Sequence, residues 1–473
     1  MYKAFNALIE NISTFMYSYL LIIMLLAVGL YFTFRTRLVQ FRLLGESIRL
    51  VTEKKEGDNS VSAFEALMVS TASRVGTGNI VGVATAIATG GYGAVFWMWV
   101  IALVGGASAF VESTLAQIYK KRDDKGGSYG GPAYYIEAAL HSRPLGIIFA
   151  IALIATYAGG FNLLCSFNLV TSLQGYSFYG DPTTSVVPLI CGAVLALLVA
   201  FCILGGGRRI VKVTGVLVPA MGVAYIAMAV IVMVINAKNL PVVFGEIFRG
   251  AFDFEAIFGG FAGSAVMQGV KRGLYSNEAG VGSAPNAAAA ADVSHPVKQG
   301  LVQMLSVFID TLVVCTATAM MALSSGIIPS EELTGAPFVQ TALASTFGNF
   351  GFYFITFSLL LFAFTTLIGN LFYCEGALNY IAKRQVSKTA LIIFRVAACV
   401  IVFAGAQLDF GLAWNLADVL MGVMAIINLP VIVILGKTAL RALNDYVAQR
   451  KDGLDPVFKA STIGLAGKTD FWN

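Results

Sequence analysis

Residues 63–91 read AFEALMVSTASRVGTGNIVGVATAIATGG. As a helix the run is long enough to cross about 30 Å of hydrocarbon, yet Gly76, Thr77, Gly78 and Asn79 fall near its middle. Glycine loosens a helix, and an unwound turn exposes N–H and C=O groups that lipid cannot satisfy. Those groups need a ligand. A second stretch of this kind, AIFGGFAGSAVMQGVKRGLYSNEAGVGSAP at 256–285, carries Gly263, Ser264, Gln268, Gly269 and Gly273. Breaks are therefore expected within residues 72–80 and 262–272. The competing reading is tight helix packing, for which Gly78-xxx-Gly82, Gly259-xxx-Gly263 and Gly269-xxx-Gly273 have the right spacing.

The composition places both stretches in a membrane. Of 473 residues 58% are apolar or aromatic and 12% charged, and the mean hydropathy is +0.79, which excludes an ordinary soluble globule. Eleven apolar runs are long enough to span: 15–35, 64–90, 93–118, 144–173, 186–204, 213–235, 257–284, 297–325, 346–375, 389–407 and 413–435. They lack the period-2 alternation of a barrel strand, so the fold class is an all-α integral membrane bundle.

Lys and Arg in the connecting segments set the orientation. Twenty-five follow the odd-numbered spans, Lys271, Arg272 and Lys298 among them, against Lys3, Lys238 and Arg249 on the other side. The N-terminus is expected outside and the C-terminus in the cytoplasm. The net charge of +5 is thus topology and implies no nucleic-acid partner. The first span precedes its positive cluster and is full length, so it reads as a retained helix rather than a signal peptide. The six cysteines lie in or beside spans and read as small apolar side chains.

Four spans separate the two interrupted helices, so each opens a five-helix unit, and the units start on opposite sides of the membrane. The expected organisation is 1–63 (N-terminal helix and basic loop), 64–256 (first repeat), 257–436 (inverted second repeat) and 437–473 (cytoplasmic tail). Paired interrupted helices in inverted halves are the signature of a secondary transporter's binding site.

The motifs VGTGNIVGVATAI (75–87), GGYGAVFWMWVIALVG (90–105), GGSYGGPAYYI (126–136) and RGLYSNEAGVGSAPNAAA (272–289) together resemble the alanine/glycine:cation symporter family, also called sodium:alanine symporters, and the likeness extends over nearly the whole chain. The resemblance implies a leucine-transporter-type fold of two inverted five-helix repeats, here with one extra N-terminal helix. It also implies transport of alanine or glycine, sometimes the D-enantiomer, with Na+ and in some members H+.

A zwitterion needs donors for its carboxylate and acceptors for its ammonium. The carboxylate is assigned to the N–H groups of Thr77 and Gly78, beside Asn79, at the positive end of a half-helix. The ammonium is assigned to carbonyls near Gln268 and Gly263. Asn162 and Asn168 either close the pocket or bond between helices. By resemblance to the leucine-transporter-type sodium site, FAFTTLIGN (362–370) supplies Thr365 and Thr366, joined by the carbonyls of Ala72, Val75 and Phe362. The plainer reading has each hydroxyl bonding its own preceding turn.

Charges within spans are costly and draw a functional reading. Arg74 is expected to gate or anchor through an ion pair with Asp310 or Glu112; Glu278 is a further buried carboxylate, and Asp310 would carry the proton under H+ coupling. Trp97 and Trp99 read as an interfacial belt. Gly126-Gly127-Ser128-Tyr129-Gly130 matches a nucleophile pattern but sits in a Gly-rich loop without a preceding strand. His141 and His295 join no cluster of metal-ligand spacing. No phosphate loop is present. An intramembrane enzyme lacks a catalytic pair, and a passive channel fits glycine breaks with few lining charges poorly.

The sequence thus predicts a monomeric symporter of the inner or plasma membrane that imports a small neutral amino acid with Na+ by alternating access. One Na+ entering down 100 mV yields about 2.3 kcal/mol and a tenfold gradient about 1.4 more, enough for roughly 500-fold accumulation.

Overall fold

The computed structural model describes residues 2–53, 61–122, 127–181, 184–253, 264–330, 333–408 and 410–472. The fold is all-helical apart from a two-stranded hairpin. The N-terminal helix comprises α1 (Tyr2–Phe15) and α2 (Leu21–Arg35), joined by a π turn at Met16–Leu20. The first interrupted segment gives α3 (Ala63–Arg74) and α4 (Val81–Gly90), followed by α5 (Gly93–Ile118). Strands β1 (Lys121–Arg122) and β2 (Ser128–Tyr129) lead to α6 (Pro132–Leu140). A π turn at Ala155–Gly160 joins α7 (Arg143–Ile154) to α8 (Phe161–Thr171). Next come α9 (Val187–Ile203), α10 (Gly207–Ile235) and α11 (Leu240–Ala251).

The second interrupted segment gives α12 (Ala265–Asn277) and α13 (Pro285–Ala290). A π turn at Ile309–Cys315 joins α14 (Pro296–Phe308) to α15 (Thr316–Ser324). Then follow α16 (Gly335–Phe347), α17 (Asn349–Ala382), α18 (Lys388–Gly405) and α19 (Phe410–Lys451). Among the described residues eight continuous helices are long and apolar enough to cross a membrane, and Val187–Ile203 is a shorter apolar helix. At the centre α5 packs along α12 and α14, while α17 packs against α3, α7 and α10.

Local chemistry explains the key boundaries. Ser62 accepts from the Glu65 N–H at 3.1 Å while the Glu65 carboxylate accepts from the Ser62 N–H at 2.8 Å, a capping box that starts α3. Gly348, at φ +59°, separates α16 from α17. The last helix overruns the expected span, continuing through the segment assigned to the tail as far as Lys451. It does so because residues 436–451 contain no proline and bury Ala439, Ala442, Leu443 and Tyr446 along one face.

The remaining tail folds back onto the chain. The Trp472 indole N–H donates to the Gln117 carbonyl at 2.7 Å, the Phe458 N–H to Ser294 at 2.9 Å, and Lys298 pairs with Glu53 and with Asp455. Residues of the first connecting loop, of the start of α14 and of the tail thus share one side. His295 lies in this layer, its Nδ1 accepting from the Val297 N–H and its Nε2 lying 3.1 Å from Asp445. Burial pushes the His295 imidazole down to about 4 from 6.5, against the pull of the Asp445 carboxylate. An unfolded chain therefore binds more protons than the folded one between those values, and the stability of this layer falls as pH drops through that window. His295→Gln should flatten the pH dependence of hydrogen exchange at residues 456–472 between pH 6.5 and 4; an unaltered profile would rule out His295 as its source.

Candidate functional site

The first break lies where expected. Val75 ends α3, Gly76 is extended at φ −129°, and a 3-10 turn at Thr77–Asn79 leads into α4. The Gly76 N–H is held by the Asn79 side-chain oxygen at 2.9 Å, the Thr77 N–H faces the Cys165 sulfur, and the Gly78 N–H meets no acceptor among the described residues. Both glycines are required by close approach. A Cβ on Gly76 would overlap the Thr366 hydroxyl, and one on Gly78 would sit 2.6 Å from Tyr275 Cδ1.

The second break lies elsewhere than expected. Helix α12 runs unbroken through Gln268, Gly269 and Gly273 and ends at Asn277. The chain then unwinds over residues 278–284, with Glu278, Gly280 and Gly282 at positive φ, before α13 begins. Gly269 and Gly273 serve the packing role instead: Cβ atoms there would lie 2.6 Å from Trp97 Cβ and 2.5 Å from Ile101 Cγ2 of α5. Gln268, inside the helix, packs its Cβ against Gly90. Gly263 lies outside the described residues, and Ser264 caps α12 by accepting from the Met267 N–H at 3.3 Å.

The first break meets the end of α12 just before the second. The Asn79 amide donates to Asp310 Oδ1 at 2.7 Å and to Ser276 Oγ at 3.0 Å, and Ser276 donates to Asp310 Oδ2 at 2.5 Å. From α8, the Asn168 amide donates to the Thr77 hydroxyl at 3.0 Å. Asn162 accepts from Asn370 at 2.9 Å, and Asn370 in turn accepts from Ser73 at 2.7 Å. Both asparagines thus bond between helices, Asn168 directly at the break. The Thr366 hydroxyl donates to the Ala72 carbonyl at 3.0 Å across helices, while Thr365 donates to its own turn, at Leu361 (3.0 Å) and Phe362 (3.1 Å). Val75 is the residue that ends α3 at the same level.

Arg74 takes neither expected partner. It is buried, and its Nη1 donates to the Gln303 carbonyl at 3.3 Å; no ion pair joins it to Asp310 or Glu112. Asp310 is occupied by Asn79, Ser276 and Thr311. Glu112 accepts from the Gly280 N–H at 3.2 Å and from Asn428 at 2.8 Å, so it braces the second break. Glu278 accepts from Ser283 at 2.6 Å. Ser128 sits on a two-residue strand, contrary to the loop expectation, and its hydroxyl donates to the Ala289 carbonyl at 2.8 Å.

Lys271 and Arg272 are not loop cations. Both are buried on α12 and converge on Asp418 of α19: Lys271 Nζ lies 2.8 Å from Oδ2, and Arg272 is bidentate at 3.1 and 3.3 Å. The Arg272 guanidinium lies 4.0 Å from the Trp414 ring centroid. Tyr275 packs between Trp414 (5.1 Å) and Phe161 (4.8 Å). Tyr275 covers Gly78, and Trp414 and the Arg272 stem lie against Gly82.

The model of the sodium:alanine symporter family matches residues 2–460. The chain belongs to that family. It is 46% identical over 468 residues to the amino-acid carrier protein AlsT of Bacillus subtilis, covering 99% of this chain and 98% of that protein. It is 43% identical to the probable sodium/glutamine symporter GlnT of the same organism, over 97% and 94% of the two chains. With the sodium/alanine symporter AgcS of Methanococcus maripaludis it shares 38% identity over 90% and 93%. Among solved structures, that of MhsT in complex with L-phenylalanine aligns at a TM-score of 0.59 and 15% identity, over 88% and 97% of the chains, which shows the shared fold. The protein is therefore a multi-pass membrane transporter of the symporter class and not an enzyme.

Several residues of the symporter's site escaped sequence reasoning. Ser276, Tyr275, Trp414, Asp418 and Asn370 carry no local signal of their own. The second break did have one: Gly280 and Gly282 follow Glu278 inside the quoted 256–285 stretch, and a G-x-G pair favours unwinding more than the isolated Gly269 and Gly273.

Proposed function

We propose that the symporter imports a small neutral amino acid, alanine or glycine, together with Na+ by alternating access. The observation that carries this reading is that the first unwound segment meets the end of α12, just before the second break, and the π turn of α14–α15 at Asn79, Ser276 and Asp310. The helices group into eleven crossings: an N-terminal one, a repeat over 64–256, an inverted repeat over 257–436 and a tail, with the N-terminus outside. The substrate carboxylate docks on the Gly78 N–H and on the Thr77 N–H, which now faces only the weakly accepting sulfur of Cys165. The ammonium faces carbonyls of residues 278–284 in place of Gln268 and Gly263. Tyr275, Phe161 and Trp414 leave little room above Gly78, which suits a side chain of one methyl or none; separating alanine from glycine is then worth only about 1–3 kcal/mol.

The Na+ ligands are the carbonyls of Ala72, Val75 and Phe362 and the hydroxyls of Thr365 and Thr366. The Thr366 to Ala72 contact already brings two such oxygens together across helices, and a hard cation takes this kind of oxygen set. When the ion enters, the hydroxyls turn their lone pairs towards it and release those carbonyls. The Arg272–Asp418 pair is the lid that parts on one side during the cycle.

Purified protein in liposomes should accumulate labelled alanine only under an inward Na+ gradient. Equal uptake under a proton gradient without Na+ would transfer the coupling to H+, with Asp310 as the carrier. Uptake that requires ATP would end the symporter reading.

A further inference from the structure

A groove of about 400 Å³ runs between α9 and α18 on the outside of the bundle. Ala196 and Ala200, four apart on one face of α9, form its floor, and Val396, Val400 and Phe403 form the wall. Leu197 and Val400 on its edges are 71% and 60% exposed, so no part of the described chain covers it, and in the membrane it opens to hydrocarbon. Such a surface alone selects no particular lipid, because all acyl chains are alike to it.

One end of the groove supplies the selectivity. Arg395 lines it and is fastened by two hydrogen bonds to Glu375, from Nε at 2.9 Å and Nη2 at 2.6 Å. The glycine turn after α9 comes so close that a Cβ on Gly206 would sit 3.9 Å from Arg395 Nη2. The same turn carries the exposed Arg209, whose side chain packs against Gly205. Arg209 folds back over the end of α9, donating to the Phe201 carbonyl at 2.7 Å. Exposed Lys388 opens α18 two turns before Arg395. Arg395 and Arg209 therefore flank one glycine turn, beside Glu375, at a single end of an apolar trough.

We propose that this trough is a binding site for one anionic phospholipid, an acyl chain lying along Ala196 and Ala200 and the phosphate resting between Arg395 and Arg209. The site rests on the membrane reading and is independent of what the symporter carries. Charge complementarity sets the head group, since cations at a membrane surface attract anionic lipid and not zwitterionic lipid, while the apolar trough sets the chain contact.

The test is native mass spectrometry of the full-length protein in detergent, titrated with phosphatidylglycerol or with phosphatidylcholine of identical chains. Glycerol phosphate serves as a headgroup-only competitor. One phosphatidylglycerol should bind at least ~10-fold more tightly than phosphatidylcholine, without competition from glycerol phosphate. Ala200→Leu, which fills the trough, should weaken it about 10-fold, the worth of one to two displaced methylenes. Arg209→Gln, at an exposed position that folding tolerates, should weaken it about 5-fold. Equal affinity for the two lipids, displacement by glycerol phosphate, or wild-type binding by both variants would overturn the site.

Discussion

Gly76→Ala is expected to lower Na+-driven alanine uptake at least ~100-fold, the cost of displacing a ligand by about an ångström. The backbone at Gly76 is extended, a conformation alanine adopts freely, so strain is not the cause. The added Cβ would overlap the Thr366 hydroxyl and stand 3.3 Å from the Thr366 Cβ, which drives the hydroxyl away from the Ala72 carbonyl it now meets at 3.0 Å. Thr366→Ala in the same chain removes the clash along with the ligand. That double variant should regain its fold and substrate selectivity but require about 10- to 100-fold more Na+, the worth of one charge-assisted contact of about 1.5–3 kcal/mol. The measurement is a Na+ titration of uptake in liposomes. A wild-type titration for Gly76→Ala, or for Thr366→Ala alone, would remove this oxygen set from the coupling mechanism.

Asp418→Asn should strand two buried cations. Lys271 and Arg272 share that single carboxylate, and breaking a buried pair by removing one partner costs about 3–5 kcal/mol. The proposed lid of Arg272, Trp414 and Tyr275 would then be destabilised relative to an open form, and a shift of that size takes a closed majority to an open one. Turnover should fall at least ~100-fold, because the cycle requires the lid to close, whereas equilibrium binding of alanine and Na+ from that side should persist. Asp418→Glu should restore part of the turnover. Wild-type turnover in Asp418→Asn would show that the pair is scaffold and not lid. Cysteine accessibility beside Gly78 separates an opened lid from general unfolding, since only the former exposes that face while leaving the rest of the bundle protected.

The outcome at the two breaks shows why parts of the site were legible and others were not. Residues 75–80 were readable because two glycines, a threonine and an asparagine interrupt an apolar run, and each property is local. Thr77 was nominated for its backbone N–H and Asn79 as a polar neighbour, and their side chains proved to tie α8, α12 and the π turn at Ile309–Cys315 together. In the second interrupted segment the same residue type serves two purposes. Gly269 and Gly273 let α5 approach, while Gly280 and Gly282 let the chain turn. A glycine's thinness and its conformational freedom look identical in sequence, and only the neighbouring helix decides which is in use.

The charges divide in the same way. Membrane residence, helical class and the identity of the family follow from hydropathy and motifs, which the chain carries without reference to its folded shape. Lys271 and Arg272 look like loop cations by type, and Arg74 looks like the partner of Asp310 or Glu112. Instead the fold pairs Arg272 with Asp418, separated from it by 146 positions, and leaves Arg74 on the Gln303 carbonyl. Hydropathy and backbone freedom are properties of a residue and its near neighbours, so sequence by itself determined the all-helical membrane class and the first break. A buried charge must find its counter-charge wherever packing brings one within reach, so the lid, the second break and the contacts of Thr366 were decided by tertiary structure alone.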